Sequence, residues 1–505
     1  MTAVQDVVLR PAGLTADEVV AVARHGAKVR LDASTLDAVA AGRRHIDALI
    51  ASGEPVYGVN TGFGALASRH VAPDFLAQLQ RSLIRSHAAG TGPLVEPEVV
   101  RAMVLLRLRT LASGRTGVRP VVVETMAAIL NAGIVPAVRE HGSLGCSGDL
   151  APLAHCALVL MGEGEVLGPD GAPVAAGPVL RAAGIAPVEL AEKEGLALIN
   201  GTDGMLGMLL LALADIDVLC DSGDVIAAMS VEALLGTDAV FRPELHGPLR
   251  PHPGQVRSAE RMLAALEGSG IVASHREGDD RVQDAYSLRC APQVAGAVRD
   301  TVAHARTVAE RELASVVDNP VVLADGRVSS NGNFHGAPVA YVLDFLAIAL
   351  ADLASMAERR TDRLLDPARS HGLPPFLAAD PGVDSGLMIA QYTQAALVSE
   401  MKRLAVPASA DSIPSSAMQE DHVSMGWSAA RKLRLSVDAA RRVLAIELLS
   451  AARGIDLRTP LRPAPVTGAV RDRLRATVPG PGPDRFLSPE IEATIRFVAR
   501  GGVLV

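Results

Sequence analysis

The sequence predicts a mainly all-α protein built on a bundle of long helices, and three observations carry that prediction. Segments 204–235, 293–314, 338–359, 385–405 and 428–452 are rich in Ala and Leu with charges spaced along them. Their periodicity supports helices of up to about 30 residues. Several are apolar nearly all round, the pattern of helices buried in the middle of a large bundle. With 505 residues, 49% hydrophobic and 21% charged, the chain can bury a large core and is expected to form more than one packed region. The expected division is a smaller, mixed N-terminal region, 1–200, followed by the helix bundle, 201–505.

In chain order, Thr15-Ala16-Asp17-Glu18 and Ser34-Thr35-Leu36-Asp37 carry capped helix starts, a hydroxyl followed by acidic residues. The second helix runs to about Ala51, where Gly53-Glu54-Pro55 ends it. Val56-Tyr57-Gly58-Val59-Asn60-Thr61-Gly62-Phe63-Gly64 is too rich in glycine for a helix and is expected to be a loop. A helix over 79–86 reaches His87, and 99–113 and 121–132 are expected to be amphipathic helices. Pro169, Pro173 and Pro178 break 162–184 into short strands or turns. Pro460 to Pro465 and Pro479 to Pro483 interrupt the later helices, and Ser488-Pro489-Glu490 opens a last short one. There is no internal repeat and no low-complexity tract.

Composition excludes several classes. A net charge of −8 and a pI near 5.9 offer no basic patch for nucleic acid. The four cysteines, Cys146, Cys156, Cys220 and Cys290, form no Cys-x-x-Cys pair, so neither a disulfide framework nor a zinc site is indicated and a reducing cytoplasm fits. The N-terminal residues lack the basic and apolar regions of a signal peptide. The apolar run 204–214 meets Asp215 and Asp217, too short to span a bilayer, which takes about 20 apolar residues. No membrane association is expected.

Residues 142–155 read Gly-Ser-Leu-Gly-Cys-Ser-Gly-Asp-Leu-Ala-Pro-Leu-Ala-His. An arbitrary Ser-Gly here would be a glycine-rich turn entering a helix, with Asp149 near its start and Pro152 in its first turn. Cys146-Ser147-Gly148 also permits a second chemistry. If a tight bend brings the amide nitrogen of Gly148 onto the carbonyl carbon of Cys146, a five-membered ring closes with loss of water. Only glycine lacks the Cβ that would block that approach. Loss of the Ser147 hydroxyl then leaves an exocyclic methylidene, an electrophile of a kind no side chain supplies. A serine-hydrolase elbow fits less well, because Gly-x-Ser-x-Gly would place the second glycine one residue later.

The whole run closely resembles the signature of the aromatic amino acid lyases, which carry a methylidene-imidazolone (MIO) electrophile. The commoner form has alanine where this chain has Cys146, a harmless change where only the carbonyl takes part. The resemblance extends from Tyr57 to Glu420 and implies the long-helix bundle of the fumarase and aspartase superfamily. It implies that MIO forms from Cys146, Ser147 and Gly148 with no external cofactor, that Tyr57 is the base for the β-proton, and that Asn200 hydrogen-bonds ring and substrate. In Arg-Val-Gln-Asp-Ala-Tyr-Ser-Leu-Arg, Gln283, Tyr286 and Arg289 share one face if the segment is helical. There the resemblance implies that Arg289 clamps the substrate carboxylate, that Tyr286 assists at the MIO or amine, and that Gln283 binds substrate. Phe334 matches a position that packs on the substrate. Glu420 lies in Gln-Glu-Asp-His, too sparse in histidine for a metal site, and none is expected. Asp203 stands where members often have glutamine and receives no role.

Ser86-His87 discriminates within the family, since histidine-specific members have Ser-His at these positions. With Glu420, it implies elimination of ammonia from L-histidine to trans-urocanate. The resemblance also implies a homotetramer with shared active sites. The rivals are a tyrosine or phenylalanine lyase or aminomutase with the same MIO, a serine hydrolase using Ser147, His155 and an aspartate, and a non-enzymatic helical scaffold.

Overall fold

The computed structural model describes residues 5–11, 13–52, 58, 60–62, 64–66, 71–279 and 281–504. It is mainly helical, and the chain divides into two compact units. The first comprises Met1–Leu211, Arg306–Leu343 and Pro407–Arg431; the second comprises Ala212–Ala305, Asp344–Val406 and Lys432–Val505. The first unit therefore takes in the expected N-terminal region and adds three later stretches. Four long helices, Asp203–Ala233, Ala291–Ala314, Ala337–Leu365 and Gly426–Asp456, contribute residues to both units.

In the first unit, Ala16–His25 begins with the expected capping box: the Thr15 hydroxyl accepts from the Glu18 N–H, and the Glu18 carboxylate accepts from the Thr15 N–H at 2.8 Å. The next helix, Ala33–Ser52, starts two residues earlier than a Ser34 cap would place it. Its start is held by Asp32, whose carboxylate accepts from the Ser34 N–H at 2.9 Å. Pro97–Ala112 departs from the amphipathic expectation. Every residue from Ala102 to Ala112 is buried, Arg107 and Arg109 included, because neighbouring helices cover it on several sides. Leu76–His87, Leu150–Leu160 and Glu194–Ile199 pack on one another. His87 ends the first of these, Ser147 precedes the second, and Asn200 follows the third, so their mutual packing brings the candidate site together.

The strands pair only in twos among the described residues. Val7–Leu9 runs parallel to Val29–Leu31, and three antiparallel pairs follow, including Glu165–Leu167 with Pro173–Ala175 inside the predicted excursion. The helix Ala176–Ala182 in that excursion was not predicted.

In the second unit, Pro253–Leu266 and Pro465–Arg475 are helices absent from the sequence reading, each opened by a proline in its first turn. Pro465, expected to break the chain, thus starts a helix. Two buried carboxylates tie this unit together. Glu447 pairs with Arg360, and Glu232 accepts from the Thr467 hydroxyl and the Ala464 N–H at 2.6 Å each. Ala337–Leu365 is long and apolar enough to cross a membrane by composition, yet 61% of its most apolar window is buried inside the protein, as in a core helix.

Candidate active site

The backbone bends at every residue from Gly145 to Asp149 before entering the helix Leu150–Leu160. Gly145 and Gly148 have φ of +64° and +72°, left-handed values that glycine adopts without steric cost. A Cβ on Gly148 would overlap the backbone of Gly201, so the bend lies directly against the turn after Asn200. The Asp149 N–H donates to the Gly201 carbonyl at 2.7 Å. The Gly145 carbonyl accepts from the Ser424 hydroxyl at 2.7 Å and the Gly336 N–H at 3.2 Å, and Met425 N–H reaches the Leu144 carbonyl at 2.9 Å. Segments distant in sequence thus pin the loop from several sides.

Asp149, expected near the start of the following helix, does not cap it with its side chain. Its carboxylate accepts instead from the Ser143 hydroxyl and from the Gly204 and Met205 N–H groups, each at 2.9 Å. It therefore caps the long helix Asp203–Ala233. Burial pushes its pKa up to about 7, against the pull of these donors.

Ser147 donates its hydroxyl to Oδ1 of Asn200 at 2.7 Å, and Nδ2 of Asn200 donates to the Asn319 carbonyl at 2.9 Å. A carbonyl only accepts, so Asn319 fixes which end of the Asn200 amide faces Ser147. The serine-hydrolase reading needs an imidazole on Ser147. Nε2 of His155 accepts from the Gly90 N–H at 3.2 Å, and Ser147 bonds an amide.

A cavity of ≈ 380 Å³ lies over Ser147, with His87, Ser86, Glu420, Ser416, Leu83 and Leu196 in its wall. Nδ1 of His87 meets the Leu83 carbonyl at 2.9 Å, which places the ring proton on Nδ1 and leaves Nε2 an acceptor. Burial lowers the His87 pKa, opposed by that hydrogen bond and by the charge of Glu420, so the ring stays neutral near pH 7. Glu420 accepts from the Ser415 hydroxyl at 3.0 Å. Cys146 is buried and its thiol is pushed up to about 12, first by burial and next by Glu420, so it stays protonated.

Seven of the residues singled out in the sequence therefore meet here: Cys146, Ser147, Gly148, Asn200, Ser86, His87 and Glu420. Tyr57 lies outside the described residues. Phe334 is half-buried in the turn before Ala337–Leu365 and does not line the cavity. His335 stacks on His422 with ring centroids 5.3 Å apart. Leu79, Ser82 and Leu83 also line the cavity and were missed. They lie at helical spacing before Ser86 and His87, so the face was legible from periodicity. Ser416 had no comparable signal.

Gln283, Tyr286 and Arg289 belong to the second unit. The helix there is only Tyr286–Arg289, so Gln283 sits in irregular chain and the one-face spacing argument does not hold for it. Tyr286 is 69% exposed. The Arg289 guanidinium lies over its ring at 4.6 Å, and the buried Nε of Arg289 has no hydrogen-bond partner among the described residues. Asp203 pairs with Arg107, Nε to Oδ2 at 3.1 Å, both buried. Among the described residues no cluster of His, Cys, Asp and Glu is placed to hold a metal.

The structure thus holds a bent Cys-Ser-Gly against an asparagine, with an imidazole and a carboxylate in the wall of the cavity over Ser147. The family profile described as aromatic amino acid lyase matches residues 14–476. The chain belongs to that family. It is 68% identical over 499 residues to a histidine ammonia-lyase of Streptomyces avermitilis, covering 99% of this chain and 97% of that one. Among solved structures, a tyrosine aminomutase from Streptomyces globisporus matches with a TM-score of 0.93 at 39% identity, covering 99% of this chain and 98% of that chain. A histidine ammonia-lyase from Trypanosoma cruzi matches with a TM-score of 0.91 at 40% identity, covering 99% and 94%.

Proposed function

We propose that this chain is a histidine ammonia-lyase that eliminates ammonia from L-histidine to give trans-urocanate. The observation that carries the reading is that Ser86-His87 and Glu420 share one cavity with Ser147. The tyrosine aminomutase has nearly the same fold, so fold alone does not choose between substrates. The polar groups in the cavity favour an imidazole over a plain aromatic ring.

The family's MIO would form here from Cys146, Ser147 and Gly148. The fit rests on the continuous bend at 145–149 and on Gly148, which has no room for a Cβ. When present, that group supplies the electrophile that makes the amine a workable leaving group. The chain's own residues do the rest. Asn200 holds its side-chain amide beside residue 147. His87 and Glu420 meet the imidazole, and Arg289, which pairs with no carboxylate among the described residues, holds the substrate carboxylate through two parallel hydrogen bonds. Tyr57 takes the β-proton, the C–H pair becomes the new double bond, and ammonia leaves with the C–N pair. Tyr286 assists at the amine, and Gln283 and Phe334 complete substrate binding.

The exposure of Tyr286 and its neighbours supports a site completed by another copy of the chain, within a homotetramer. The free cysteines accord with a reducing cytoplasm. Intact mass tests the reading directly. The purified protein should be lighter than its sequence mass by two waters, and Ser147→Ala should lose nearly all turnover together with at least one dehydration. Full activity in Ser147→Ala would end it. Cys146→Ala should stay active, since only the carbonyl is used.

A further inference from the structure

Beneath Asn200 lies an ion pair that the reaction as described does not use. Lys193 and Asp318 are both 0% exposed, with Nζ and Oδ2 2.6 Å apart. Burying two charges is costly, and apolar residues of similar volume would serve stability as well or better. The position of the pair gives it another purpose. Lys193 stands immediately before the helix Glu194–Ile199, in the left-handed region at φ 72°, and Asn200 ends that helix. Asp318 precedes Asn319, whose carbonyl orients the Asn200 amide. The same two segments are therefore joined twice, once by the ion pair and once by Asn200 and Asn319.

The bonds run on from one contact to the next. Oδ2 of Asp318 takes Lys193, and its Oδ1 accepts from the Asn319 N–H at 2.8 Å. The Asn319 carbonyl accepts from Asn200, and Asn200 accepts from Ser147. Asn331 secures the outer side: its Nδ2 donates to the Asp318 carbonyl at 3.0 Å, and its N–H to Oδ1 of Asn319 at 3.0 Å. Arg107 adds a second brace, donating to the Ala197 carbonyl at 3.0 Å and the Val317 carbonyl at 2.8 Å while pairing with Asp203. We propose that Lys193 and Asp318 are positioning residues for the lyase reaction, holding Asn319 so that the Asn200 amide keeps its place beside residue 147.

This rests on the reading of residue 147 as the electrophile's source, and the test separates the two. The variant Lys193→Met with Asp318→Asn removes both charges, keeps side-chain volume and keeps an oxygen for the Asn319 N–H. It should fold with an undiminished Tm, because only a costly pair has been replaced. Its kcat for L-histidine should fall on the order of 100-fold with KM little changed, the usual result of a small misplacement at a reacting centre. A folded double variant with wild-type kcat would overturn the proposal while leaving the two missing waters in the wild type, and so the electrophile, untouched. Should the double variant fail to fold, Asp318→Asn alone is read in the same way. If neither folds, the pair serves stability and the proposal falls.

Discussion

His87 offers Nε2 as an acceptor because its Nδ1–H is engaged by the Leu83 carbonyl, and Glu420 is an acceptor as well. A neutral imidazole donates to one of them through its single N–H, and a protonated one to both; a phenyl ring satisfies neither. Each buried polar atom left without a partner costs about 1–3 kcal/mol. Sites that hydrogen-bond a substrate reject analogues lacking the polar group by about 10⁴-fold, so turnover of phenylalanine should be very small. Replacing both residues, Ser86→Phe with His87→Leu, removes one acceptor and enlarges the apolar wall formed by Leu83 and Leu196. The ratio of histidine to phenylalanine and tyrosine turnover should fall steeply in that variant. An unchanged ratio, or a wild type that prefers either aromatic substrate, would remove the assignment to histidine and leave the electrophile standing.

At the scale of elements, Asp149 links the 145–149 loop to the start of Asp203–Ala233, because its carboxylate takes two N–H groups of that helix's first turn. Its pKa, ordinarily 3.8, stands at about 7 in the fold. A carboxyl whose folded pKa is raised keeps its proton more tightly when folded. The stability linked to it is full below the unfolded value and lost as pH rises through about 7. Asp149→Asn keeps an acceptor for the helix N–H groups and does not titrate. The Tm of Asp149→Asn relative to wild type should therefore rise between about pH 5 and pH 8. A difference that stays flat across that range would show that Asp149 does not titrate there.

The second unit presents apolar side chains outward along its long helices. Phe345 and Ile348 on Ala337–Leu365, Ile389 and Tyr392 on Met388–Leu404, and Leu435 on Gly426–Asp456 are all exposed. Such surfaces mark association sites, and long helices bury more area when they bundle with copies of themselves. If sites are shared in a homotetramer, two inactive variants with defects in different parts of the site should complement each other. Tyr57→Phe mixed with Arg289→Ala should regain part of the wild-type turnover after subunit exchange, while each alone remains inactive. Fully active monomers at low concentration would exclude shared sites.

Helix content and the bent Cys-Ser-Gly were legible in the sequence because each depends on short-range pattern, whereas the pairing of His87 with Glu420 was implied only by the family resemblance. Apolar periodicity marks buried helices, glycines at 145 and 148 mark left-handed backbone, and Ser86-His87 ends a helix whose cavity face repeats at helical spacing. What tertiary structure alone decided depends on partners far apart in the chain. Arg107, inside a stretch read as amphipathic, is buried because the carbonyls of Ala197 and Val317 receive it. Asp149 caps a helix that starts 54 residues later, not the one it precedes. Lys193 meets Asp318 across 125 positions. Burial reverses the ordinary cost of a charge or a polar side chain only where a partner is already in place. One chain's order gives no measure of that; only the packed fold supplies it.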